Sequence, residues 1–301
     1  MHSIIPLDLN FLSKKNAVAS YLVPYEGGAA LVETGPGSTI EELKNKLKEH
    51  ELKPENVTHV FLTHIHLDHA GASGWLVTQG AQIFVHPFGA PHMEFPEKLL
   101  SSAKRIYKDK MDYLWGEFLP VPSEKLTSVG DGEMVKVGNL SFTAIHTPGH
   151  AGHHISWLLE DTCFTGDVGG IRIPGVFYIR MPLVPPELDF EKWRNSLTKL
   201  KEIGFNKIAP THFGIYSDAD AHLSMALQLL DENEQWMEHA SIDDTPIEVL
   251  REQYATFLHD QGIKLGVSEA TLQISEVANP PRMGADGIQR YWNKYRHSNK
   301  M

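Results

Sequence analysis

The chain has 301 residues, 42% hydrophobic and 22% charged, enough for one large domain or two small ones around a sizeable core. Its formal net charge of −11 counts against general affinity for nucleic acid, which requires a basic surface to displace counterions. No apolar run is long enough to span a bilayer, the opening MHSIIPLDLN carries no export signal, and the single cysteine, Cys163, cannot close an internal disulfide, so a reducing cytoplasm is the expected location.

Strands and helices alternate through the first half. Residues 4–9, 17–23 and 28–35 have strand composition and end in turn residues. Ser38-Thr-Ile-Glu41 has the form of a capping box, and Ile40, Leu43 and Leu47 follow at helical spacing, so an amphipathic helix is expected over 39–50. A β-rich run at 57–63 leads into a dense His/Asp cluster at 64–69, followed by a short helix over 70–79 and a strand over 81–86. Residues 88–125 break the rhythm, with Leu99, Ala103, Ile106 and Met111 at helical spacing ahead of Tyr113, Trp115 and Phe118. A helical hairpin completing the core is the simple expectation; a cap over an active site is the functional one.

Strands resume near 126. Asp131-Gly132 reads as a hairpin turn, and 140–147, 154–160 and 162–167 read as strands. Asp189 opens a helix with Phe190, Trp193, Leu197 and Leu200 on one face, and Gly204 stops it. Residues 206–212 form a last strand ending on His212. Beyond 217 the chain is mainly helical, with Thr245-Pro-Ile-Glu248 as a second capping box. Ile247, Leu250, Tyr254 and Leu258 form one apolar stripe there, and Ile288, Trp292 and Tyr295 another, expected to pack in the core or, alternatively, to form a homodimer surface or lid. The expected organisation is an α/β domain over 1–216, with 88–125 as its insertion, and a helical extension over 217–301 packed on it.

Histidine is over-used, at 17 residues, and the segment Thr63-His-Ile-His-Leu-Asp-His-Ala-Gly71 concentrates it. His64, His66 and Asp68 alternate, so an extended segment would point them the same way, with His69 where the chain must turn. Three further candidates each follow a strand: His150 in Thr147-Pro-Gly-His150, Asp167 in Phe164-Thr-Gly-Asp167 and His212 in Pro210-Thr-His212. Imidazole and carboxylate suit zinc, and also manganese or iron; one ion needs about three protein ligands, so seven candidates point to two divalent ions. His154 and His86 are expected to support rather than ligate, and Cys163 to be a buried structural thiol. His2, His50, His59, His92, His146, His222, His239, His259 and His297 have no partner pattern. The proline-rich, aromatic loop 169–188 would either pack on the C-terminal helices or form a substrate wall, with Arg172 or Arg180 facing an anionic group and Tyr178 donating a hydrogen bond.

The HxHxDH run, TPGH, TGD and PTH, in this order over roughly residues 4–216, resemble the metallo-β-lactamase fold hydrolases. The resemblance implies a four-layer αββα sandwich with metals at one edge. Carried over by position, His64, His66 and His150 hold one ion, Asp68, His69 and His212 the other, and Asp167 bridges both. It implies hydrolysis of a small-molecule ester, thioester or lactone by a metal-bridging hydroxide, with Asp68 orienting it and relaying a proton. The TPGH…TGD framework is similar to glyoxalase II-like thioesterases and acyl-homoserine lactonases. Gly170 stands where those lactonases place a tyrosine, and no basic cluster for glutathione is readable. The alternatives are a mono-iron persulfide dioxygenase using His64, His150 and Asp167, and a phosphodiesterase or RNA-processing nuclease.

Overall fold

The computed structural model describes residues 2–240, 242 and 245–296. Among them six strands form one sheet: β1 (Ile5–Asp8), β2 (Ala19–Tyr25), β3 (Gly28–Val32), β4 (Val57–Phe61), β5 (Gln82–Val85) and β6 (Leu126–Ser128), side by side in that order. The first three are antiparallel, the last four parallel. A second sheet holds β7 (Met134–Val137), β8 (Leu140–His146), β9 (Ile155–Leu159), β10 (Thr162–Phe164) and β11 (Lys207–Ala209), in the order β11-β10-β9-β8-β7.

Both faces of each sheet are apolar, and the period of two divides the residues between layers. Tyr21, Phe61 and Phe84 point between the sheets, where Phe61 stacks on Phe142 at 4.0 Å and meets Trp157 edge-on at 5.0 Å. Their neighbours Leu22, Val60 and Ile83 point outward under helices α1 (Ile40–Glu49), α2 (Leu67–Ala70) and α3 (Ser73–Thr78). Residues 88–125 add α4 (Ala90–Glu94), α5 (Glu97–Tyr107) and α6 (Met111–Trp115) on that side. The outer face of the second sheet is covered by α7 (Phe190–Ile203), α8 (Ala219–His239), α9 (Ile247–Lys264) and α11 (Pro281–Tyr291), with α10 (Glu269–Ala278) beside α9. The result is the four-layer αββα sandwich with a helical C-terminal region. Leu250, Tyr254, Leu258 and Ile288 share one buried cluster with Cys163 and Ile208, so those helices pack on the sandwich itself. Each such fully buried side chain is worth about 1.5–3 kcal/mol.

Two of the local signals hold. Asp189 caps α7 by accepting from the Lys192 amide at 3.0 Å, and Gly204 ends it at φ +69°. Three do not. The Ser38 hydroxyl bonds the Leu114 carbonyl at 2.6 Å instead of capping α1, tying the insertion to the sandwich. Thr245 turns back to the Ala240 carbonyl, so α9 starts without a side-chain cap. Asp131-Gly132 makes no hairpin, because β6 and β7 lie in different sheets; Gly138-Asn139 joins β7 to β8 instead, with Val137 opposite Leu140.

Candidate metal centre

All four ligand-bearing segments leave the C-terminal ends of strands at one edge of the sandwich. After β4 the chain runs extended through His64 and His66. It then turns into α2, whose first turn carries Asp68 and His69. Alternation along one extended segment therefore describes His64 and His66 only. His150 sits between β8 and β9, Asp167 in a single turn after β10, and His212 beyond β11. Two glycines make this approach feasible: Gly149, at φ +147°, presses against the Trp193 backbone, and Gly166, at φ +50°, against Thr63 and His154.

The seven candidates converge. His66 Nδ1 lies 3.0 Å from both His64 Nε2 and His150 Nε2. Asp167 Oδ2 faces this group, 3.2 Å from His150 Nε2 and 4.0 Å from His64 Nε2. Its other oxygen, Oδ1, lies 3.3 Å from both His69 Nε2 and His212 Nε2. Asp68 Oδ2 completes that second group at 3.6 Å from His212 and 3.7 Å from His69. Tetrahedral zinc with bonds of about 2.0–2.1 Å spaces its ligand atoms by roughly 3.3 Å, so both donor groups fit a divalent ion. His69 Nε2 and Asp167 Oδ1, both buried, have no hydrogen-bond partner, as expected of atoms reserved for an ion.

Partners behind three of the rings fix their tautomers. His150 Nδ1 donates to the Pro182 carbonyl at 2.9 Å and His212 Nδ1 to the Ala17 carbonyl at 2.7 Å, which leaves both Nε2 lone pairs facing the centre. Glu33, fully buried, does the same for His69 Nδ1 at 3.1 Å. Glu33 also accepts from the Thr63 and Thr211 hydroxyls, and Thr63 in turn contacts His64 Nδ1 at 3.0 Å. Glu33, His64 and His69 are close enough to suggest a third ligand group, but the carboxylate is already engaged behind the rings. Sequence reasoning missed Glu33. Its signal was a lone carboxylate ending the apolar run Ala29-Ala-Leu-Val32.

Electrostatics separates the two donor groups. Burial, and then crowding by neighbouring imidazoles, hold His64 and His66 well below the usual histidine range, and burial lowers His150. Burial opposes charge on His69 and His212 most strongly, but Asp167 and Asp68 together, with Glu33 at His69, outweigh it and both are raised. Asp167, although buried, is held well below the usual carboxylate range by His69, His150 and His212.

The centre opens into a cavity of about 640 Å³, lined by Asp68, Asp167 and His150 at its floor and by α5, α6, and the α10–α11 region above. Helices from 88–125 thus form much of its wall. Only a short stretch of 169–188 reaches the cavity, and Arg172, Tyr178 and Arg180 are not in it. Arg172 is committed to Asp218 through bonds of 2.6 and 2.8 Å and lies over the Phe177 and Tyr216 rings. Tyr178 and Arg180 are 2% exposed and do not line the cavity, and the Tyr178 hydroxyl and Arg180 Nε and Nη2 find no partner among the described residues. What lines the cavity from this loop is Val184–Glu187. His154, stacked on His64 at 5.1 Å, supports rather than joins the donor groups, while His86 accepts from the Phe88 amide. His297 lies outside the described residues.

Comparison with known proteins agrees with this geometry. The sequence profile described as metallo-beta-lactamase superfamily matches residues 14–212. The chain is 28% identical over 205 residues to a metallo-beta-lactamase fold-containing protein of Sulfurisphaera tokodaii, covering 66% of this chain and 76% of that one. It is 30% identical over 200 residues to the atrochrysone carboxyl ACP thioesterase of Aspergillus fumigatus, covering 64% of this chain but only 50% of that protein. The match thus spans about half the length of that relative. Among solved structures, a metallo-beta-lactamase superfamily protein from Sulfolobus tokodaii superposes with a TM-score of 0.66 at 19% identity, over 96% of this chain and 99% of the other. A metallo-beta-lactamase family protein from Thermus thermophilus does so with 0.67 at 20%, over 97% and 93%. The profile match covers most of the chain and includes every one of the converging side chains as well as the strands that carry them, with His212 at its last position; the chain belongs to the metallo-beta-lactamase superfamily.

Proposed function

We propose that this chain is a metal-dependent hydrolase of a small-molecule ester, thioester or lactone, with thioesters first because one relative is named a thioesterase. The observation that carries the reading is Asp167, whose two oxygens face two separate donor groups at the floor of a cavity. His64, His66 and His150 would hold one divalent ion, Asp68, His69 and His212 a second, with Asp167 shared; zinc suits these donors best, and manganese or iron also fit. When bound, such a pair supplies Lewis acidity and brings the pKa of a water toward neutrality.

The chain's own groups do the rest. Asp68 lies in the first turn of α2, borders the cavity and can take the proton of the attacking water. Glu33 and the backbone carbonyls keep the imidazoles oriented, so no reorganisation accompanies reaction. Helices α5 and α6 act as a cap, limiting water over the reacting carbonyl. No helix among the described residues is long and apolar enough to cross a membrane.

The test is metal analysis and turnover of the metal-loaded protein on lactones, thioesters, aryl esters and phosphodiesters, beside Asp167→Asn. We expect about two ions per chain, falling to one or fewer in the variant, with turnover of an acyl substrate reduced at least about a hundredfold. Less than one ion in the parent after metal-replete expression, or a variant with full metal content and activity, refutes the reading.

A further inference from the structure

The walls of the cavity restrict what can reach the metal centre. Phe11, Leu99, Ile106, Leu114, Trp115 and Met283 make most of one side apolar. Phe11 stacks on Trp115 at 5.6 Å, and Tyr107 meets the same indole edge-on at 4.9 Å. A volume of about 640 Å³ lies inside the range of roughly 300–1,000 Å³ typical of small-molecule sites.

Acidic residues outnumber lysine and arginine 38 to 27, yet Lys98, Lys110 and Arg282 all line the cavity. All three are exposed, which puts them at its mouth, and none has an ion pair or hydrogen bond among the described residues. Several cations elsewhere are tied down, as Arg194 is to Asp231 and Glu234, Arg251 to Asp286 and Lys199 to Asp131. The lining carboxylates have other engagements. Asp68 and Asp167 belong to the metal centre, Glu187 accepts from the Gly152 amide at 2.6 Å, and Glu276 is within electrostatic reach of the buried Arg180. The cavity is therefore apolar along its wall, and its exposed rim carries three cations, Lys98, Lys110 and Arg282, against two carboxylates, Glu187 and Glu276.

We propose that the cavity takes an amphipathic acyl substrate, whose apolar body lies along Phe11, Leu99, Ile106 and Trp115 and whose far end carries an anionic group held by Arg282, Lys98 and Lys110. The assignment rests on the acyl-hydrolase reading of the same site. It makes the three cations specificity determinants that touch only the tail of the substrate. None of them takes part in the chemistry at the floor.

The test uses the metal-loaded protein at low ionic strength and two probes of one length, suberic acid monoanilide and its neutral methyl ester, with binding read from intrinsic tryptophan fluorescence. The acid is expected to bind about tenfold tighter than the ester, the scale of several partly exposed charge contacts acting together. In the triple variant Lys98→Gln, Lys110→Gln, Arg282→Gln the preference should shrink to within about twofold, with ester affinity and metal content unchanged. Binding of neither probe, equal binding by the parent, or a triple variant that keeps the preference overturns the proposal; in the last case the carboxylate sits on the metal centre instead. Thioester turnover is scored separately. Charge-selective binding without turnover keeps the cationic mouth and removes the hydrolase reading, and turnover without charge preference does the reverse.

Discussion

Glu33→Gln probes the metal centre from behind. Glu33 Oε1 accepts three bonds, from the Thr63 hydroxyl, from His69 Nδ1 at 3.1 Å and from the Thr211 hydroxyl at 3.1 Å; Oε2 accepts one, from the Thr63 amide at 3.3 Å. Glutamine fills the same volume, but only one of its ends accepts. The amide oxygen must stay with the three donors, which turns the NH2 group toward the Thr63 N–H. Donor then faces donor in a fully buried place, at a cost of about 1–3 kcal/mol with or without metal. The lost charge also weakens the hold on the His69 tautomer, and removing such an outer partner lowers metal affinity by about 10- to 100-fold, roughly 1.4–2.8 kcal/mol. Thermal melts of stripped and metal-loaded protein separate the two costs, and chelator competition measures the second directly. A variant that binds metal as tightly as the parent and loses under about 0.5 kcal/mol refutes the reasoning.

Three other outcomes are expected. Arg172→Ala should cost about 1–3 kcal/mol in urea unfolding, because it removes the paired bonds to Asp218 and the stacking on Tyr216, and should leave KM unchanged; a raised KM at full stability would restore a substrate role. His222, buried on α8 with Nε2 on the Gly169 carbonyl at 2.7 Å, is pushed down to about 4 chiefly by burial. The unfolded chain, with a pKa of about 6.5, binds the proton first, so stability is complete above that pH and drains as pH falls toward 4, by at most about 3 kcal/mol. Urea titrations of the parent and His222→Gln between pH 7 and 4.5 check this, and parallel profiles would count against it. Gly149→Ala should cost at least about 2 kcal/mol and loosen the ion held by His150, since a Cβ there overlaps the Trp193 backbone; unchanged melting and metal content would contradict the assigned geometry.

Much of the site was legible because metal ligation restricts residue type so strongly. His64, His66 and His69 stand within six positions, and only His, Cys, Asp and Glu serve such ions well. The positions of the strands were legible for a related reason: each ligand follows a β-rich run, and a period of two survives in Tyr21-Leu22, Val60-Phe61 and Ile83-Phe84 although both faces are buried. The capping boxes misled because a hydroxyl has several carbonyls within reach once the chain is folded. Ser38 chose Leu114, a residue 76 positions away. Asp131-Gly132 misled because a turn dipeptide says that the chain bends, not that the flanking strands pair.

The sequence by itself offered the candidate donor groups, their order and the alternation of strands and helices, since ligation restricts residue type and period marks buried faces; the layered architecture came with the resemblance. Only the tertiary structure decided how Asp167 divides its two oxygens, that Glu33 stands behind His69, that Arg172, Tyr178 and Arg180 stay out of the cavity lining, and that Lys98, Lys110 and Arg282 join it. These are relations between segments far apart in the chain. Distance and direction between them come from packing two sheets and their covering helices, and no local pattern of residues encodes them.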